Sequence, residues 1–220
     1  MLLAAATASA AVTTIPPAEY PPGCHPDGEA LQGDAADDTI VGTALRDLLR
    51  GGTGENSIRG RADRDCLFGG NLADVINGGR GADKINGGRG ADAIDGNRGD
   101  DVINASDGND FVYGSKGADW IRGFRGNDAI SASHGNDEVH ADDGNDAIVG
   151  GEGRDAILGG NGTDAINGNR GDDWISGGRN ADRIEDKFGR NRISCGRGFD
   201  RVITNKQSGL AASCEKVTRH

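Results

Sequence analysis

A branched aliphatic residue returns every nine positions along most of this chain, with no insertion to break the count. The series runs Ile40, Leu49, Ile58, Leu67, Ile76, Ile85, Ile94, Ile103, Val112, Ile121, Ile130, Val139, Ile148, Ile157, Ile166, Ile175, Ile184, Ile193 and Val202. Two positions before each stands an acidic residue or its amide: Asp38, Asp47, Asn56, Asp65, Asp74, and so on at the same spacing to Asp182, Asn191 and Asp200. A Gly usually precedes the acid by two positions and often by five, so the unit reads GGxGxDxUx with U aliphatic. A period of nine fits neither an amphipathic helix nor an alternating antiparallel strand, and frequent Gly penalises helix further. Fixed periodicity predicts stacked units, each too small to bury its own apolar side chain. The GGxGxD half can follow a tight path through the positive φ angles that Gly tolerates, and the xUx half reads as a three-residue strand with U on one side and its neighbours on the other. Two units then close one flattened coil, with two parallel sheets whose U residues meet inside. Nineteen units predict about nine and a half coils and a rod roughly 45 Å long at ~4.8 Å per coil. The roll is placed at residues 33–203, between an N-terminal cap at 15–32 and a C-terminal cap at 204–220.

Composition changes this picture in one respect. With 39 Gly and 4% aromatics the chain cannot build a conventional globular core. The formal charge of −11 comes largely from the periodic acids. Like charges stacked at the strand spacing repel, and a bound divalent cation would answer both the thin core and the repulsion. An acidic balance with no basic, aromatic-interleaved face argues against nucleic acid as partner. No run of about twenty apolar residues predicts a membrane span. Residues 1–14 read as a leader: MLLAAATASAAV resembles the end of a secretory signal with a small-residue site at Ala8, Ser9 and Ala10, although the first base is Arg46. Cys24, Cys66, Cys195 and Cys214 lie near the two ends of the array, which fits staples on the caps and an oxidising compartment. Cys195 with Cys214 would close a loop worth ~3 kcal/mol in the chain-entropy model, leaving Cys24 with Cys66; four free buried thiols are the bland alternative. Cys66 takes an outward strand position, so a bond to Cys24 would drape the Pro-rich segment 15–24 over that face.

The nonapeptide resembles the RTX or haemolysin-type calcium-binding repeats, over residues 33–203. That resemblance implies an all-β fold, a right-handed parallel β-roll, with Ca²⁺ between consecutive turns on each side, held by the Asp carboxylate and by carbonyls of the Gly-rich loops. A hard cation wanting six to eight oxygens at ~2.4 Å agrees with such a donor set. Carried onto this sequence, the metal ligands are Asp83, Asp92, Asp101, Asp110, Asp119, Asp128, Asp137, Asp146, Asp155, Asp164 and Asp173. The loop carbonyls are those of Gly81, Gly90, Gly99, Gly108, Gly117, Gly126, Gly135, Gly144, Gly153, Gly162 and Gly171. Units ending GND or GDD (Asp101, Asp110, Asp128, Asp137, Asp146, Asp173) lie nearest the family pattern. The ends are poorer: Ala36, Leu45, Asp63 and Leu72 replace the inner Gly, Asn180 replaces another, and Asn56 and Asn191 replace Asp. Between the loop glycines the chain often places a base, Arg80, Arg89, Arg98, Lys116, Arg125, Arg170 or Arg179, whereas Asp107, Asp143 and Glu152 take the same slot elsewhere. The bases either lie outside the metal or stand in for it at some turns, and both readings remain open from the sequence.

Catalysis finds little support. His25, His134, His140 and His220 form no set with Ser and acid, and no H-E-x-x-H, phosphate loop or C-x-x-C occurs. Trp120 and Trp174 share one predicted outward face with Leu48, Cys66 and Val102, either an adhesive strip or a surface covered by the N-terminal segment or a second copy. An ice-binding row is absent: the loop slot runs Thr53, Asn71, Arg89, Asp107, Arg125, Asp143, Asn161, and the slot after U runs Asn77, Asp95, Tyr113, Ser131, Val149. Sequons at Asn104 and Asn161 follow from repeat composition. The sequence thus predicts a secreted, non-catalytic calcium-binding roll with disulfide-linked caps. The alternative is a structural or adhesive rod, with a cell-surface or matrix component as partner, in which Arg–Asp pairs replace some or all of the calcium.

Overall fold

The computed structural model describes residues 12–205, 209–210, 214 and 216–219, so residues 1–11 of the expected leader lie outside the described residues. Each nonapeptide contributes one strand, and consecutive strands alternate between two parallel sheets. Among the described residues these sheets hold 12 and 11 strands, and the solenoid runs to about 10 coils. Strands eighteen residues apart pair in register: Val75 lies beside Ala93, Ile76 beside Ile94 and Asn77 beside Asp95. Ala30–Gln32 pairs in parallel with Leu48–Gly52, and at the other end Lys216–Arg219 pairs in parallel with Arg201–Thr204. The rungs therefore extend slightly beyond the nineteen units.

The strands are longer than three residues. A typical one, Val75–Arg80, covers six residues, because the first two glycines and the residue after them continue the extended path instead of entering the turn. Only the loop Gly, its neighbour and the Asp remain to turn the corner. Inward positions alternate along the strand, and both the aliphatic residue and the first Gly face the interior. All nineteen U residues are 2% exposed or less and form one continuous core. The sheet pairing passes over the first Gly in every full repeat, as between Asn77↔Asp95 and Gly79↔Asn97, and the strand bends there. At the corners of the central repeats the backbone packs too closely for a side chain. Gly99 has φ +131°, and a Cβ on it would meet the Gly81 carbonyl oxygen one coil earlier at 1.5 Å.

Both ends are stapled, by Cys24–Cys66 and Cys195–Cys214, as the spacing of cysteines suggested. At the N-terminus Thr13–Thr14 adds antiparallel to Ala30–Gln32, and the chain then crosses the outer face of the first sheet through a short 3-10 turn, Pro17–Glu19. Ile15, Cys24, Leu48 and Cys66 bury one another there, with Tyr20 and Phe68 at the margin. The Arg50 side chain donates to the Glu19 carbonyl at 2.9 Å. This strap covers Leu48 and Cys66 of the outward face, but leaves Trp174 47% exposed.

Adjacent residues on opposite faces offer a direct test of this register. Ile103→Ala should cost ~2–5 kcal/mol by opening a cavity in the core, while Val102→Ala, on the outer face, should stay within ~0.5 kcal/mol. Urea unfolding of the two variants measures the difference; equal effects would show that the strand faces are assigned wrongly.

Candidate metal centre

The recurring acids do not project into solvent. Every one, from Asp38 to Asp200, is 2% exposed or less. They form two ladders, one along each edge of the roll. In each ladder the backbone N–H of one acid donates to Oδ1 of the acid eighteen residues on, as from Asp83 to Asp101 at 2.8 Å, Asp101 to Asp119 at 2.9 Å and Asp92 to Asp110 at 2.8 Å. The turn thus satisfies a buried main-chain donor with a side chain of the next coil. Asn56 and Asn191 keep the same bond, each accepting at 3.0 Å through Oδ1.

The second carboxylate oxygen has no such partner. Oδ2 of Asp65, Asp74, Asp83, Asp92, Asp101, Asp110, Asp119, Asp128, Asp137, Asp146, Asp155, Asp164, Asp173 and Asp182 is buried without a hydrogen-bond donor. It points at the first Gly of its own unit, where another oxygen also arrives. The position that a Cβ would take on Gly78 lies 2.5 Å from Asp83 Oδ2 and 2.9 Å from the Gly96 carbonyl oxygen; on Gly87 the corresponding distances are 2.4 Å to Asp92 Oδ2 and 2.6 Å to Ala105 O. Similar two-oxygen cradles stand beside Gly96, Gly114, Gly123, Gly150 and Gly159. In three units a methyl group occupies this place, at Ala105, Ala132 and Ala141, all fully buried. In these units, and equally in the Asp173 unit where the inner residue is Gly168, the ladder oxygen lies close to the loop Gly: Oδ1 of Asp110, Asp137, Asp146 and Asp173 comes within 2.8, 2.7, 2.9 and 3.0 Å of where a Cβ would stand on Gly108, Gly135, Gly144 and Gly171. The carbonyl of the loop Gly one coil earlier (Gly90, Gly117, Gly126) faces the same spot.

Burial dominates the electrostatics. It pushes the Asp65 and Asp101 carboxyls up to about 8, those of Asp110, Asp146, Asp155 and Asp182 up to about 7, and those of Asp74, Asp83 and Asp119 up to about 6. The ladder N–H bond pulls each one partly back, and for most of them neighbouring carboxylates add to the rise. Asp92, Asp128, Asp137, Asp164 and Asp173 are raised by burial as well. Among the described residues no ion pair joins a base to the ladder carboxylates from Asp38 to Asp182. Of the bases between the glycines, Arg125 lies 4.0 Å from Asp107 and Arg170 lies 3.1 Å from Glu152, both on the outer rim. These pairs screen the rim, not those ladder acids.

An oxygen-only set, anionic, desolvated and lacking donors, fits a hard divalent cation. It holds one carboxylate per turn, so among the described residues no group of three or more His, Cys, Asp or Glu converges. All eleven expected Asp ligands lie in the ladders, and the expected loop glycines lie at the corners beside them. The sequence reading missed two features. The residue before the ladder acid makes an outer ladder of its own, Asn109 accepting from the Asn127 N–H and Asn127 from Asn145, both at 2.7 Å; the GND units carried its signal. Asp186 was also overlooked, a buried acid at an inward position held by Gly or Ala in the preceding units and by Cys195 in the next. Burial first and the Asp173 charge second push it up to about 8, against a smaller pull from the Phe188 N–H and the Asn191 side chain. Of the histidines, His134 stands on a rim 3.9 Å from Glu152, and His140 bonds Glu138 at 2.7 Å beside the Trp120 ring.

A family model for the RTX calcium-binding nonapeptide repeat, four copies to a match, fits residues 32–65, 41–76, 68–103, 104–139, 122–157 and 158–193. No curated protein matches the chain. Among the described residues no helix is long and apolar enough to cross a membrane.

Metal-free stability should follow pH in an unusual direction. The buried carboxyls sit above their ordinary value of 3.8, so between about pH 4 and pH 8 the folded chain holds more protons than the unfolded one. Their contribution is fully present below about pH 4 and is lost as pH rises through about 6 to 8. In chelator, the urea midpoint at about pH 5 should exceed that at about pH 8, and saturating Ca²⁺ should abolish or reverse the trend. A midpoint in chelator that is flat or rises over this range would show that the ladder is not desolvated.

Proposed function

Because the chain belongs to the family of RTX calcium-binding nonapeptide repeats, we propose that it takes up several Ca²⁺ ions along both edges of the roll and that uptake is coupled to folding outside the cell. The ligands in this reading are the carboxylates from Asp83 to Asp173, joined by main-chain carbonyls that include those of Gly81 to Gly171. The observation that carries it is the row of buried Oδ2 atoms without a hydrogen-bond donor. A bound Ca²⁺ supplies the positive charge and the open oxygen sites that such a row lacks.

The chain's own part is division of labour within one side chain. Oδ1 holds the preceding coil by its N–H, which sets the stacking distance, and Oδ2 is left to the cation. The carbonyl of the first Gly in the next coil closes most cradles from the other side. Without a cation the ladder places unpaired carboxylates in low dielectric, which opposes folding at neutral pH. At one hundred times Kd each filled site would add about 2.7 kcal/mol, and extracellular modules bind at ~10⁻⁴ to 10⁻³ M, so the roll would close outside a cell and open inside one. The two disulfides support an oxidising compartment. The exposed Trp174 favours a second role, contact with a surface or matrix component, with the ions as struts.

A far-ultraviolet circular dichroism titration of the oxidised protein, begun in chelator, tests the coupling. Ca²⁺ should bring a cooperative gain of β signal that Mg²⁺ does not, and Asp119→Asn should lower the number of ions bound while keeping its ladder hydrogen bond. A chain already folded in chelator and indifferent to Ca²⁺ would overturn the reading.

A further inference from the structure

One coil near the C-terminal end departs from the repeat in two places at once. Asn191 stands where the ladder has its carboxylate, and Asp186, five residues earlier, occupies the inward position that holds Gly or Ala in every preceding unit of the roll. The charge missing from the corner has in effect moved inside. The strand Arg183–Asp186 stops at this residue, four residues long where Trp174–Arg179 has six. Asp186 is 0% exposed, and neither of its oxygens has a hydrogen bond of proper geometry. Asp173, 2% exposed, also has its Oδ2 without a donor.

These two side chains aim at one point. The position of a Cβ on Gly168 lies 2.7 Å from Asp173 Oδ2 and 2.7 Å from Asp186 Oδ2, so both oxygens face the same space beside Gly168. The repeats are built differently: beside Gly159 the same point faces one carboxylate oxygen, Asp164 Oδ2, and one carbonyl, Gly177 O, each at 2.5 Å. No base neutralises the pair. Lys187 binds Glu185 at 2.6 Å and Arg190 lies 4.0 Å from Asp172, both on the outer surface. Asn191 keeps the structural role of the ladder, its Oδ1 accepting the Asp173 N–H at 3.0 Å.

We propose that Asp173 and Asp186 form a two-carboxylate site for a hard divalent cation such as Ca²⁺, beside Gly168. Two carboxylates neutralise a divalent charge where a repeat turn supplies one, and affinity in oxygen sites rises with ligand charge. The site therefore fills before the repeats and fixes the coil that precedes the Cys195–Cys214 staple. It borrows Asp173 from the ladder, and rests on the calcium reading at that residue alone.

The two tryptophans each follow a ladder acid directly, Trp120 after Asp119 and Trp174 after Asp173. In a Trp120→Phe background Trp174 is the one tryptophan left, and its neighbour's site lies within reach of energy transfer to Tb³⁺. Titrating that oxidised protein with Tb³⁺ under tryptophan excitation should give emission at the first equivalent, displaced by Ca²⁺. Asp186→Gly, which restores the residue found at this position in most repeats, and Asp186→Asn, which keeps the shape and removes the charge, should each weaken the early phase at least about tenfold. Asp119→Asn should leave it unchanged. An early phase equal in the parent and both Asp186 variants would overturn the proposal, and so would its absence from the parent, the result expected if the pair shares a proton. In either case later equivalents of Ca²⁺ binding to the repeats, followed by calorimetry, would show whether the calcium reading of the repeats still stands.

Discussion

A carboxylate buried at the corner of nearly every half-coil is the constraint on which the rest of this structure depends. Its hydrogen bond needs only an oxygen: Asn56 and Asn191 accept the ladder N–H as well as any Asp does. The negative charge is thus surplus to the backbone's requirement. It is also costly, since an isolated carboxylate in low dielectric either takes a proton or finds a counter-charge. The chain keeps this cost at seventeen of its nineteen corners, with the paired bases between its glycines on the outer rim, and that surplus charge is what the proposed calcium would offset.

Glycine and aspartate divide the work of the unit. The loop Gly lets the carbonyl of one coil approach the next at a distance no side chain would allow, and the first Gly leaves room inside for the unbonded oxygen. In three units Ala105, Ala132 and Ala141 fill that room with a buried methyl group.

The ends differ in kind. At the N-terminus a strap held by Cys24–Cys66 covers the outer face and protects apolar residues that the sheet alone would expose. At the C-terminus the second disulfide ties Cys195, an interior residue, to Cys214. Asp186 lies just inside that staple, and its carboxylate restores in the interior the charge that Asn191 omits at the corner.

The nine-residue period by itself determined the parallel two-sheet roll, the nineteen aliphatic residues of its core and the alignment of acids along two edges, because stacking identical units leaves one register in which all the aliphatic side chains meet. Cysteine placement near the two ends of the array likewise suggested both staples, with Cys195 and Cys214 closing the shorter loop and Cys24 and Cys66 left as the second pair. The strand length was not legible: Gly tolerates extended and turning paths equally, and only the pairing of neighbouring coils shows that the first two glycines extend the strand. Nor could the sequence decide whether Arg or a cation balances the acids. That depends on which way each carboxylate turns, and only the tertiary structure shows Oδ2 buried inside while the paired guanidinium groups stand on the rim. Asp186 is the same lesson at one residue. In sequence it is an ordinary acid in a charged stretch, and only the coil geometry, by stacking it over Gly168 beside Asp173, brings two carboxylates to one point.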